Sequence, residues 1–140
     1  MCKNNDDYKV VELEAMGDER GQLVAIESSN QIPFDMRRVF YVYGTSGDKA
    51  RGCHANKKTK FVIISVAGSC VVSVNNGRKK EDIILDVPTK GLYLNNMVWK
   101  EMHSFSENSV LLVVCSELYD SGEYIYSLND FLERVKLNDR

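Results

Sequence analysis

Short runs of alternating or uniformly apolar residues, each stopped after a few positions by glycine, asparagine or proline, fill the chain from Gln22 to Cys115. That rhythm leaves no room for a long helix before the C-terminus. Gln22–Glu27, Arg38–Tyr43, Phe61–Val66, Cys70–Val74, Asp82–Leu85, Gly91–Leu94 and Val110–Cys115 read as strands, with Trp99–Phe105 before the last of them. Asn75-Asn76-Gly77 is a strong hairpin signal, because asparagine and glycine accept the positive φ of a tight turn. Many short strands at regular spacing predict a closed all-β fold, either a β-barrel or a jelly roll. Only the end differs. Ser127-Leu128-Asn129-Asp130 can cap a short C-terminal helix that turns Phe131, Leu132 and Val135 toward the body.

With 140 residues and no linker, repeat or low-complexity tract, residues 1–140 are expected to form one domain. A formal net charge of −2 argues against nucleic-acid binding, which needs a basic face. No apolar run is long enough to cross a bilayer. The N-terminal Met1-Cys2-Lys3-Asn4-Asn5-Asp6-Asp7 is polar and lacks the apolar stretch of a secretion signal, so the expected location is the cytoplasm. The four cysteines, Cys2, Cys53, Cys70 and Cys115, are scattered and are expected to be free thiols, with Cys70 and Cys115 in the core.

The chemistry concentrates in Arg51-Gly52-Cys53-His54-Ala55-Asn56-Lys57. On a strand, His54 and Asn56 share one face while Cys53 points to the other. Imidazole can take a proton near neutrality, and the Arg51 guanidinium can hold a phosphate. The Gly52-x-His54-x-Asn56 spacing followed by Gly68 resembles the first motif of the cupin superfamily. Metal-binding cupins supply a second histidine and a glutamate where this chain has Asn56 and Lys60. An amide and an ammonium are poor company for a cation, and His103 is the one histidine left, so no metal is expected.

Arg20-Gly21, Arg38-Val39-Phe40-Tyr41, Arg51-Gly52-x-His54-Ala55, Gly68-Ser69-Cys70, Gly91-Leu92-Tyr93, Val98-Trp99-x-Glu101-Met102-His103-x-Phe105, Tyr119-Asp120 and Tyr124-Ile125 follow one another in order. Together they resemble the dTDP-4-keto-6-deoxyhexose 3,4-ketoisomerases, the WxcM-like sugar isomerases of the cupin superfamily. That resemblance implies a cofactor-free enzyme that moves the keto group of dTDP-4-keto-6-deoxyglucose from C4 to C3 through an enediol. Such a step belongs to the making of deoxyaminosugars for surface polysaccharides. It also implies a homodimer. His54 matches the family's base, Tyr41 a tyrosine of the sugar pocket, and Asn56 the place of a second, proton-shuttling histidine. Arg51, Arg20, Lys100, Gln22 and His103 are the expected substrate-binding residues. His103 can also be read as part of an aromatic core-lining run. Lys100 stands where family members carry histidine or arginine, a position linked to the configuration produced at C4. Two other readings stay open: a nucleotide-sugar epimerase of the same fold, and a cupin that binds a nucleotide sugar without turning it over.

Overall fold

Alternation along the strands sorts side chains between an inner apolar layer and two outer faces, and this sorting produces the architecture. The computed structural model describes residues 7–46 and 48–138. Residues 1–6, Cys2 among them, lie outside the described residues. One antiparallel sheet has the order β1 (Tyr8–Glu12), β9 (Lys90–Leu94), β6 (Phe61–Ala67), β11 (Val110–Cys115) and β4 (Arg38–Val42). The second has the order β12 (Tyr124–Ile125), β5 (Arg51–Asn56), β10 (Trp99–His103), β7 (Cys70–Asn75) and β8 (Lys80–Leu85). A small hairpin of β2 (Ala15–Asp18) and β3 (Gly21–Val24) stands beside them. The helix α1 spans Leu128–Asn138.

Residues two apart face inward from both large sheets and form the main core. Phe61, Ile63, Leu92, Leu94, Leu111, Val113 and Cys115 of the first sheet meet Cys70, Val72, Val74, Ile83, Leu85 and Met102 of the second. Burying each large apolar side chain contributes about 1.5–3 kcal/mol. The outer face of the first sheet is covered by Leu13, Ile32 and Phe34, which pack on Val62, Ile64, Tyr93 and Val114. The outer face of the second carries Ala55, Trp99 and Ile125 against Phe131 of the helix.

The all-β jelly roll with a C-terminal helix holds. Cys70↔Leu85 through Asn75↔Lys80 pair as the hairpin expected at Asn75-Asn76-Gly77, where Gly77 has φ 94°. Ser127 Oγ accepts a hydrogen bond from the Asp130 amide at 3.2 Å, and Phe131, Leu132 and Val135 pack on the sheet as expected. Cys53, Cys70 and Cys115 are free thiols, the latter two buried. Strands β1 and β2 escaped the sequence reading. In β1 the apolar residues Tyr8, Val10 and Val11 break strict alternation, and β2 offers only Ala15 and Met16, both exposed, so the pattern that marks a half-buried strand is weak there.

Candidate active site

Between the edge strand β4 of the first sheet and strands β5 and β12 of the second, the sandwich opens into a cavity. Its walls are Phe40, Val42, Phe61, Ile63, Met102 and Val113, and its polar groups come from Arg51, His54, Lys100 and Tyr124. Apolar walls with few polar groups are the usual build of a small-molecule site.

A bulge in β5 aims the polar groups. Lys100 pairs with His54 and Glu101 with Gly52, which leaves Cys53 without a partner in the ladder. Gly52 and Cys53 both have positive φ, 83° and 57°. A β-bulge bends its strand and re-aims side chains, and here it brings Arg51, Gly52 and His54 all to the cavity. Glycine is needed at 52 on two grounds. Its φ is left-handed, and a Cβ would lie 2.9 Å from Met102 Cε and 3.1 Å from the Lys100 carbonyl. Cys53 turns outward to the layer under the helix, as alternation predicts.

His54 is half-buried among tyrosines. Its ring centroid lies 4.7 Å from Tyr124 and 5.9 Å from Tyr126, and those two tyrosines stack at 5.7 Å. Burial, and then the neighbouring charge of Lys100, push the imidazole down to about 3, so it is neutral at physiological pH. Lys100 is 4% exposed. Its Nζ lies 3.1 Å from Asn56 Oδ1, 3.5 Å from His54 Nδ1 and 4.1 Å above the centre of the Phe61 ring. Burial pushes its ammonium down to about 7.

Behind Lys100 the network continues. Asn56 Nδ2 donates to Glu123 Oε1 at 2.8 Å. Glu123 also accepts from the Thr59 amide at 3.1 Å and the Thr59 hydroxyl at 2.6 Å. Burial opposes ionisation of Glu123, but the hydrogen bonds from Thr59, Asn56 and Lys58 outweigh it and hold the carboxyl below its usual range. Glu123 sits in a one-turn 3-10 helix, Ser121–Glu123, just before β12. No local pattern marked it in the sequence. Tyr124, quoted only within the closing Tyr124-Ile125 motif, and Tyr126 carried no site role in the sequence reading, because a two-residue strand shows too little alternation to reveal a face.

Of the eight residues singled out from sequence, the structure brings His54, Arg51 and Lys100 together at the cavity. Asn56 lies on the same side of β5 but is 1% exposed, behind Lys100 and outside the cavity wall. The other four stand elsewhere within this chain. Tyr41 alternates with Phe40 and Val42, so when those two line the cavity its ring goes to the outer face, 64% exposed beside Tyr43. His103 faces outward from β10, where Nε2 meets Ser73 Oγ at 2.7 Å. Arg20 is at the turn of the β2–β3 hairpin, paired with Asp18 at 2.7 Å. Gln22 is on the same hairpin, exposed. Among the described residues no three His, Cys, Asp or Glu side chains gather as a cation site, and the cavity's own polar side chains are one imidazole, two basic groups and the Tyr124 phenol.

Comparison with known proteins bears on the whole chain. The family model described as FdtA (WxcM-like, C-terminal) matches residues 6–136. A TDP-4-oxo-6-deoxy-alpha-D-glucose-3,4-oxoisomerase from Aneurinibacillus thermoaerophilus is 41% identical over 131 residues, covering 93% of this chain and 94% of that protein. The crystal structure of a 3,4-ketoisomerase from Helicobacter canadensis superposes with a TM-score of 0.90 at 41% identity, over 93% of this chain and 98% of the other. The sugar 3,4-ketoisomerase QdtA from Thermoanaerobacterium thermosaccharolyticum, in complex with TDP, superposes with a TM-score of 0.92 at 34% identity, over 96% and 98% of the two chains. A family match and relatives that agree from end to end leave one conclusion: the chain belongs to the FdtA/WxcM-like family of cupin-type sugar 3,4-ketoisomerases.

Proposed function

We propose that this protein moves the keto group of a thymidine-diphosphate-linked 4-keto-6-deoxyhexose from C4 to C3. The observation that carries the reading is a neutral, half-buried His54 in an apolar cavity with the Arg51 cation at its wall. The relative from Aneurinibacillus and the TDP complex of QdtA supply the substrate class.

The C4 carbonyl acidifies the proton on C3. His54 takes that proton, the C–H electron pair becomes a C3–C4 double bond, and the C4 oxygen gains a proton to give the enediol. The C3 hydroxyl then loses its proton, C3 becomes the carbonyl carbon, and C4 receives a proton. Electrons stay within the sugar, so no oxidant or cofactor is required. A positioned base contributes about 10²–10⁴-fold to such a step. Arg51 suits an oxyanion or a phosphate, since its guanidinium stays charged and offers a fork of donors.

Incubation with dTDP-4-keto-6-deoxyglucose in heavy water tests the reading by NMR. Keto transfer gives a 3-keto sugar carrying deuterium at C4. Deuterium with the ketone retained at C4 would instead indicate an epimerase, and an unchanged sugar a binding protein.

The reading extends to a homodimer in the cytoplasm. Val39 and Tyr41 of edge strand β4 and Tyr43 just after it are exposed apolar surface that a second copy would cover, and Met16 and Leu23 of the hairpin are exposed as well. Arg20 and Tyr41 do not line the cavity of their own chain and would reach a site by way of such a partner. A monomer in sedimentation equilibrium at micromolar concentration would defeat this arrangement.

A further inference from the structure

Lys100 is a long cation with almost no access to water, and its nearest polar neighbours are an amide oxygen and an imidazole nitrogen. The Asn56 amide separates it from the nearest carboxylate. The orientation of that amide follows from its neighbours. An ionised carboxylate only accepts hydrogen bonds, so Asn56 turns its NH₂ to Glu123 and its oxygen to Lys100. Asn56 Oδ1 therefore claims one N–H of Lys100, and what remains of the amine faces His54 Nδ1.

Two states of that amine set two different imidazoles. As an ammonium, Lys100 has only protons to offer, so Nδ1 accepts, the ring proton sits on Nε2, and the nitrogen away from Lys100 has no lone pair for a substrate proton. As a neutral amine, Lys100 can accept from Nδ1–H, and Nε2 is then the free base. The second arrangement is the one a proton abstraction from C3 needs.

We propose that neutral Lys100 is a positioning residue that accepts the Nδ1–H of His54 and so leaves Nε2 as the base, and that Glu123 fixes Lys100 in this role through Asn56. The inference rests on the reading of His54 as the base of the keto transfer. After His54 has taken the C3 proton, the imidazolium keeps Nδ1–H directed at the amine. The added positive charge is shared with a lysine seated on the face of Phe61 and backed by the Asn56 oxygen. An orienting partner on the far nitrogen of a catalytic histidine is a general device, here served by an amine in place of the usual carboxylate.

Titratable and charged groups stand around Lys100 on every side of the cavity. From β5 come His54 and Arg51, from the 3-10 turn Glu123, from β12 Tyr124, from β11 the Cys115 thiol, and from β4 Arg38, which reaches Cys115 Sγ at 3.5 Å. Burial lowers Lys100 to about 7, while Cys115 and Glu123 act to raise it. Because the neutral amine is the working form, turnover rises with pH as Lys100 loses its proton. Removing the negative charge of Glu123 lowers Lys100 further and moves that rise toward acid.

The test compares wild type with Glu123→Gln, Lys100→Met and Lys100→Arg in two measurements. One is the pH dependence of kcat and KM for keto transfer on dTDP-4-keto-6-deoxyglucose. The other is ¹⁵N NMR of the His54 ring in the sugar-free protein. Wild type should show an activity limb near pH 7 and the Nδ1–H tautomer above it. Glu123→Gln keeps an acceptor for Asn56, and its limb should move toward acid by about one pH unit. Lys100→Met should lose about 10²-fold in kcat with KM little changed, and its ring should revert to Nε2–H. A Glu123→Gln limb that stays in place, an Nε2–H tautomer in wild type at pH 8 (about one unit above the expected limb), or full kcat in Lys100→Arg would each overturn the proposal. The arms also separate the two readings. Tautomers that behave as stated in a protein that leaves the sugar untouched would refute the keto transfer alone. Keto transfer with unmoved tautomers and limb would refute the role of Lys100 alone.

Discussion

The chain has two histidines, and they lie on opposite faces of the same sheet. His54 looks inward from β5 into an apolar cavity, where burial keeps it uncharged and Lys100 stands beside its Nδ1. His103 looks outward from β10, bonded through Nε2 to Ser73 and through Nδ1 to Ser104 Oγ at 2.9 Å. Ser73 in turn donates to Asp82 at 2.6 Å, so the outer imidazole ends in a surface hydrogen-bond chain. Both residues are the same chemical group on neighbouring strands. Alternation in β10, and in β5 alternation together with the bulge at Gly52-Cys53, decide that one meets a cavity and the other the outer face.

Strand β10 shows the same division within five residues. Lys100 and Met102 line the cavity. Trp99 turns the other way to pack against Phe131, with its indole N–H on Glu101 at 2.9 Å. The inner side thus places charge at a site, and the outer side holds the sheet against its helix. A buried lysine and glutamate weaken a core unless their hydrogen bonds are met, and here Asn56 and Thr59 meet them.

The comparison of histidines can be broken by substitution at each. His54→Asn preserves much of the side chain's shape and removes the base, so turnover should fall by about 10²–10⁴-fold while nucleotide binding survives. His103→Asn should leave turnover within about twofold, because surface substitutions of this kind have small effects. NMR product assays and titration calorimetry with TDP measure both. A large loss in the His103 variant would show that the outer face reaches the chemistry.

His54, Arg51 and Lys100, singled out from sequence, meet at one cavity because two of them belong to one short segment and the third pairs directly across from it. His103 and Tyr41 stand outside this chain's cavity for one reason. Each was judged by its motif, while the face it takes depends on which neighbours point inward, and that is set by register. Around Tyr41 the signal was present in Phe40 and Val42, two apolar residues flanking a polar aromatic on an edge strand. The bulge at Gly52-Cys53 is harder to foresee, since it requires knowing that β10 pairs there and skips a residue. Glu123 was invisible, because its partners Asn56 and Thr59 are more than sixty positions away along the chain. The strands of the core and the capped helix were legible, since their periods and turn residues are local.

A smaller effect sharpens the comparison from the outer side. Ser127 closes the first turn of α1: its hydroxyl accepts from the Asp130 amide, and its carbonyl accepts from the Phe131 amide at 2.9 Å. Ser127→Ala removes the side-chain bond and should cost about 1 kcal/mol of stability, read by urea unfolding. The helix it starts packs with Trp99, Ala55 and Ile125 of the outer face, a cluster that includes none of the residues lining the cavity. Turnover at temperatures well below unfolding should therefore stay at the wild-type value. Should turnover fall several-fold while the loss of stability stays near 1 kcal/mol, Trp99 would be transmitting the position of the helix to Lys100, its neighbour in β10. The two faces of the sheet would then act as one unit, and the separation drawn from His54 and His103 would hold for orientation but not for energy.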